Sequence, residues 1–334
     1  MSVAIETVES RALVGNPLGD PTARRIAVWL PPSYARAPER RYPVIYWLAG
    51  YAGTGEMLFS GNPWQPGLGE RFDRLAAEGR LGEAIVVAPD CFTRWGGAQY
   101  LDSPALGRYE THLIDEVIPA LDSRLRTIAR REARAIGGKS SGGFGALVLA
   151  MRHPDRFAAV ASHAGDMAFE LSAQPDLPVA ARTVRRHGGV EAFLAHFAAR
   201  EKKSGDDFTT MMVLAQAGAY SPDAARPGGV ALPFDLETGE IDPEVWRRWK
   251  AWDPVEMVAA HAEALRRMKL VYLDAGTRDE HNLDLGARIF VKRLRALGVA
   301  CEHQEFDDGH RSTAYRYDVS IPMLAAAIGA EIAR

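Results

Sequence analysis

Gly138-Lys139-Ser140-Ser141-Gly142-Gly143-Phe144-Gly145 follows the apolar run Arg134-Ala135-Ile136-Gly137 and leads into Ala146-Leu147-Val148-Leu149-Ala150-Met151. The first five residues match the G-x-S-x-G nucleophile elbow, a sharp strand-to-helix turn that exposes a serine hydroxyl at the strand's carboxyl end. Glycines flank the serine because a Cβ at those places would strike neighbouring chain. The same letters invite a second reading, since Gly-Lys-Ser also ends a phosphate-binding loop. That motif requires glycine five positions before Gly138, where this chain has Ala133, and a flexible loop where this chain has strand.

The surrounding sequence supplies the framework such an elbow needs. Apolar strands are predicted at 25–30, 43–48, 84–89, 157–162 and 270–275, with a weaker one at 301–306. Helical patterns lie between them, including one around 70–79 and a long one over 109–124 that carries Leu113, Val117, Ile118 and Leu121 on one face. Continuous apolar strands separated by helices predict an α/β fold, a mostly parallel sheet with helices on both faces. From 167 to 252 the pattern is helical without a convincing strand, which predicts a mainly helical cap inserted between core segments 1–166 and 253–334.

Composition narrows the class. The 334 residues are 47% hydrophobic with a formal charge of −3, enough apolar content for a large core and no electrostatic footprint for nucleic acid or an anionic membrane. Cys91 and Cys301 are the only two cysteines, too few for a disulfide framework. The amino terminus lacks a basic start and an apolar segment, and no apolar run reaches spanning length, so a cytoplasmic location is expected.

A serine needs a base, and the base needs an orienting acid. On this architecture the chain order is Ser, acid, His. His310, in Asp308-Gly309-His310 just after the last strand, is the best-placed base. Asp279, in Gly276-Thr277-Arg278-Asp279 beyond the strand ending at Ala275, is the leading acid. Asp166 is a lesser candidate, and Glu280 and Asp284 share the Asp279 loop. The run Asp279-Glu280-His281-Asn282 lacks a metal-ligand spacing, and neither a metal nor a cofactor is expected. Oxyanion donors are expected from the backbone N–H of Ser141 and from Gly50-Tyr51-Ala52-Gly53, with Tyr51 preferred and Ala52 the alternate. Further pocket candidates are Arg94, Trp95, Lys139, His163 and Trp249, the last within the Trp246/Trp249/Trp252 stripe of the cap.

At these residues the chain resembles the esterase D branch of the α/β-hydrolases, which includes S-formylglutathione hydrolases, feruloyl esterases, enterochelin-type esterases and mycolyltransferases. The likeness rests on Tyr42–Gly50, Gly138–Leu147, Gly276–Asp279 and Asp308–His310, and covers about 20–165 and 253–330. It implies an α/β-hydrolase fold with Ser140 as nucleophile, Asp279 as acid and His310 as base. Lys139 stands where histidine or leucine is common, Phe144 where a polar residue is frequent in the formylglutathione enzymes, and the insertion is longer than theirs. The expectation is therefore a cofactor-free serine hydrolase of small-molecule carboxylic esters working through an acyl-serine. An acyltransferase, an S-formylglutathione-type thioesterase and a non-catalytic binding protein are the alternatives, and apolar cap surface would suit a homodimer.

Overall fold

The computed structural model describes residues 3–332. Eight strands form one sheet: β1 (Val3–Glu9), β2 (Ala23–Trp29), β3 (Val44–Leu48), β4 (Ile85–Ala88), β5 (Arg134–Lys139), β6 (Ala159–His163), β7 (Leu270–Gly276) and β8 (Glu302–Phe306). Their spatial order is β1-β2-β4-β3-β5-β6-β7-β8; β2 is antiparallel to both its neighbours and all other pairs are parallel. This is an α/β-hydrolase fold. The edge strand β1 was not foreseen. Its mixed run Val3-Ala4-Ile5-Glu6-Thr7-Val8-Glu9 becomes a strand only through long-range pairing with β2.

The predicted central strands are buried on both faces for a simple reason, whereas the one at 302–306 lies at the sheet edge and is partly exposed. In β3 every residue is buried, and alternation sends Val44, Tyr46 and Leu48 to one face and Ile45 and Trp47 to the other. Ile45 and Trp47 pack under α1 (Leu68–Ala77), which contributes Leu68, Phe72 and Leu75, and under a carboxyl-terminal helix, Tyr317–Ala327. The opposite face is covered by α2, which runs from Tyr109 to Arg124 with a π turn over His112–Val117, and by α3 (Ser141–Arg152). Buried from Ser141 to Met151, α3 has no polar face because it lies between the sheet and further helices.

Between β6 and β7 the main sheet receives no strand. This stretch holds α4 (Leu177–His187), α5 (Val190–Ala199), α6 (Gly205–Tyr220) and α7 (Pro243–Lys250). Its two ends are tied together. The buried Asp253 carboxylate accepts the N–H groups of Ala168 at 2.9 Å and Phe169 at 2.7 Å. Beyond the insertion come α8 (Leu283–Ala296) and α9 (Tyr317–Ala327). No helix among the described residues is long and apolar enough to cross a membrane.

The sheet also encloses a polar knot on its α9 face. His163 Nδ1 lies 2.6 Å from Asp274 Oδ1, and its Nε2 is 2.7 Å from Ser320 Oγ on α9. Asp274 Oδ2 accepts from Tyr272 at 2.8 Å and Arg316 at 3.0 Å. Burial opposes ionisation of Asp274, yet His163, Tyr272 and Arg316 together hold its carboxyl below the usual range. These groups tie β6 and β7 to α9. Ser320→Ala leaves His163 Nε2 without its partner inside a dry region, so urea unfolding should show a loss of about 1–3 kcal/mol.

Candidate active site

Ser140 stands between β5 and α3 at φ 56° and ψ −125°, a left-handed conformation that an L-residue keeps only when its surroundings enforce it. Backbone crowding supplies the enforcement. A Cβ on Gly142 would lie 2.2 Å from the Leu48 carbonyl oxygen, and one on Gly138 would lie 2.5 Å from the Gly142 oxygen. Only glycine lets α3 start this close to β3. The Ser140 N–H donates to the His163 carbonyl at 2.9 Å, which locks the turn to β6.

The loops after neighbouring strands converge on this turn. Past β7, the Asp279 N–H donates to the Gly276 carbonyl and the Arg278 N–H to the Asp308 carbonyl, which draws the loops after β7 and β8 together. Asp279 Oδ2 is then 2.8 Å from His310 Nδ1, while its Oδ1 accepts the His281 N–H at 2.9 Å. Burial opposes charge on Asp279, but the His310 contact and the N–H groups of His281 and Leu283 hold its carboxyl below the ordinary range. Glu280 accepts the His310 N–H at 2.6 Å and fixes the histidine's backbone. The rings of His310 and His281 meet edge to face at 4.9 Å, and His281 lines the same cavity as Ser140.

The loop after β3 reaches the elbow from the other side. A Cβ on Gly50 would be 3.3 Å from the Lys139 oxygen and 3.5 Å from Ser140 Cβ. The next N–H, that of Tyr51, makes no hydrogen bond among the described residues, nor does that of Ser141 at the start of α3. The Ala52 N–H is already committed to the Gly96 carbonyl at 2.8 Å, so it has no capacity as an oxyanion donor. Two unspent N–H groups beside a serine, one on a helix N-terminus, suit a developing negative oxygen.

Several candidates lie elsewhere. Arg94 and Trp95 line a separate cleft of about 580 Å³ with Pro17, Leu18 and Pro104. Trp249 is fully buried inside the insertion, its indole N–H donating to Ser221 Oγ at 2.8 Å, because the tryptophan stripe packs helices. His163 belongs to the buried knot under the sheet, since its place in β6 turns it toward Trp47 and Tyr317. Ser320, His163 and Asp274 thus have a Ser-His-Asp arrangement of their own, but no solvent reaches it. Lys139 is half-buried near the acid loop. Burial pushes its ammonium below the usual lysine range, against the pull of Asp279, Glu280, Asp274 and Asp308.

The cavity at Ser140 measures about 30 Å³ and is lined by Asp166, Phe169, Ser172, Met212, Gln216 and Leu283, among others. Most of these escaped the sequence reading, because their helices point at Ser140 only after folding. Asp166, after a strand end, and His281, two residues after Asp279 in the same loop, carried a signal. Asp166 is not the partner of His310. It faces the serines instead, with Ser140 Oγ donating to Oδ1 at 3.5 Å and Ser141 Oγ to Oδ2 at 3.3 Å, while Gln99 Nε2 donates to Oδ2 at 3.2 Å. Desolvation pushes its carboxyl above the ordinary value, opposed by Gln99, His310, His281 and Ser141. Native Asp166 therefore holds its proton more tightly than the unfolded chain does, and native stability falls as pH rises through its raised value. Asp166→Asn removes that penalty. Its melting temperature should exceed the wild type's at pH 8, with the difference shrinking toward pH 4; a constant difference would place the effect outside titration.

With this geometry in view, comparison with known proteins gives a consistent answer. Residues 21–318 match the family model described as "Putative esterase". Esterase Rv1288 of Mycobacterium tuberculosis is 31% identical, over 92% of this chain and 58% of that protein, so the chain spans a little over half the length of this relative. Among solved structures, a ferulic acid esterase superposes with a TM-score of 0.63 at 22% identity, covering 97% of this chain and 98% of that one. An S-formylglutathione hydrolase from Agrobacterium tumefaciens gives 0.61 at 18% identity, covering 98% and 95%. The match over nearly the whole chain, on an α/β-hydrolase sheet with a serine at its elbow, places this protein in that esterase family.

Proposed function

We propose that the protein is a serine carboxylic-ester hydrolase that works through an acyl-serine intermediate, with Ser140 as nucleophile, His310 as base and Asp279 as orienting acid. The observation that carries the reading is Ser140 at φ 56° on its elbow, at the same strand ends as the 2.8 Å Asp279–His310 contact. Ser140 Oγ leaves Asp166, gives its proton to His310 and bonds to the ester carbonyl carbon. The carbonyl oxygen becomes an oxyanion held by the N–H groups of Tyr51 and Ser141. Collapse breaks the ester C–O bond, and the imidazolium protonates the departing alcohol. Water then repeats the sequence on the acyl-serine and releases the acid. Asp279 orients the imidazole and stabilises its charged form.

A fluorophosphonate probe tests the assignment, because it needs an activated serine with an oxyanion site. Intact-mass and peptide analysis should find one adduct, on Ser140 and not on buried Ser320. Ser140→Ala should lose the adduct and at least about 10³-fold in kcat. An adduct on another residue, or full activity in the alanine variant, would overturn the reading.

The cavity's size supports a short acyl group. About 30 Å³ accommodates one or two waters, far below the volume of a pocket for a large ligand. Met212 on α6 narrows it from the insertion side. Among p-nitrophenyl esters, acetate should therefore exceed octanoate in kcat/KM by at least about tenfold. Met212→Ala should narrow that ratio by accelerating the longer ester.

A further inference from the structure

Away from Ser140, three side chains in the insertion converge without bonding to one another. His187 ends α4, His196 lies in the last turn of α5, and Asp207 lies in the first turn of α6. Their donor atoms all lie within 4.8 Å of one another, and the two imidazole rings are 4.0 Å apart between centroids. His196 Nε2 is 3.7 Å from Asp207 Oδ1, beyond hydrogen-bond reach. Among the described residues, neither ring donates or accepts a hydrogen bond.

The carboxylate is held in position by its own helix. Asp207 Oδ2 accepts the Ser204 N–H at 2.8 Å, and Ser204 Oγ accepts the Asp207 N–H at 3.1 Å, a closed capping box that leaves Oδ1 facing His196. Its only ion-pair partner among the described residues is His196. The nearby ammonium of Lys203 is spent on the carbonyls of Phe197 and Arg200. A cation between the two imidazoles uses both lone pairs and answers the buried carboxylate.

We propose that His187, His196 and Asp207 form a binding site for one divalent transition-metal ion, of which Zn²⁺ fits the donors best. Two nitrogens and one oxygen suit zinc, and one coordination position remains for water. Calcium and magnesium prefer all-oxygen shells and are disfavoured here. The bound ion would pin α4, α5 and α6 together at the amino-terminal end of α6, the helix that presents Met212 and Gln216 to the Ser140 cavity. A sequence pattern does not announce the site, because spacings of nine and eleven residues join three separate helices.

Chelator-stripped protein, titrated with ZnCl₂ and freed of excess by gel filtration, should retain one equivalent of zinc by mass spectrometry. Zinc should raise its melting temperature, and Co²⁺ in its place should give the visible absorption of a low-coordinate cobalt ion. The double variant His187→Gln/His196→Gln should lose the equivalent, the cobalt bands and the thermal shift while matching the metal-free wild type in circular dichroism. Asp207→Asn keeps a cap at α6 and should weaken zinc by more than about tenfold. The double variant His281→Gln/His310→Gln, which removes the imidazoles beside Ser140, should retain the equivalent. The proposal is overturned if the wild type retains no zinc, if the His187/His196 variant retains as much, or if the equivalent disappears with His281 and His310.

Discussion

The approach of α3 to β3 governs everything around Ser140. With the Leu48 carbonyl oxygen 2.2 Å from where a Gly142 Cβ would sit, the chain must turn immediately after β5. The turn is tight enough to hold Ser140 at positive φ, and the helix then begins at Ser141. From that one contact follow the placement of the Ser140 hydroxyl at the strand end, the unspent N–H of Ser141 and the seat for the Gly50–Tyr51 loop. A side chain at either flanking glycine would displace all of them together. Strain at Ser140 persists because packing on both faces of the sheet over-determines the turn.

Three aspartates near the carboxyl ends of β6 and β7 show how surroundings divide one residue type among different tasks. Asp274 is enclosed with His163, Tyr272 and Arg316, stays ionised and joins the sheet to α9. Asp279 is kept ionised by His310 and two backbone N–H groups. Asp166 lacks a cation within bonding distance and is pushed toward its neutral form by desolvation. Geometry alone does not separate the two Asp–His pairs, since Ser320, His163 and Asp274 approach one another as closely as any nucleophilic set. Access separates them: one lies under α9, the other opens on a cavity.

The insertion decides the room at that cavity. Trp249, a pocket candidate from sequence, is used to pack α6 against α7, with Tyr220 between Trp249 and Phe169. The lining comes instead from Phe169 and Ser172 in the first turn after β6 and from Met212 and Gln216 on α6. Asp253 holds that first turn in place by capping Ala168 and Phe169. The lining of the Ser140 cavity thus comes from elements that the elbow motif says nothing about.

What is legible in the chain is what has local or periodic physics. Glycine spacing around Ser140 specifies a turn through steric exclusion within a few residues. Alternation and apolar runs specify which strands are buried on two faces, and the order Ser140, Asp279, His310 follows once those strands are placed. The rest depends on long-range packing. The edge strand β1 exists through its pairing with β2, and His163 went beneath the sheet because strand parity and α9 enclosed it. Arg94 and Trp95 went to another cleft, and His187, His196 and Asp207 met across three helices. Those outcomes depend on contacts between residues far apart in the chain, and no local pattern encodes the distance or dry volume that such contacts create.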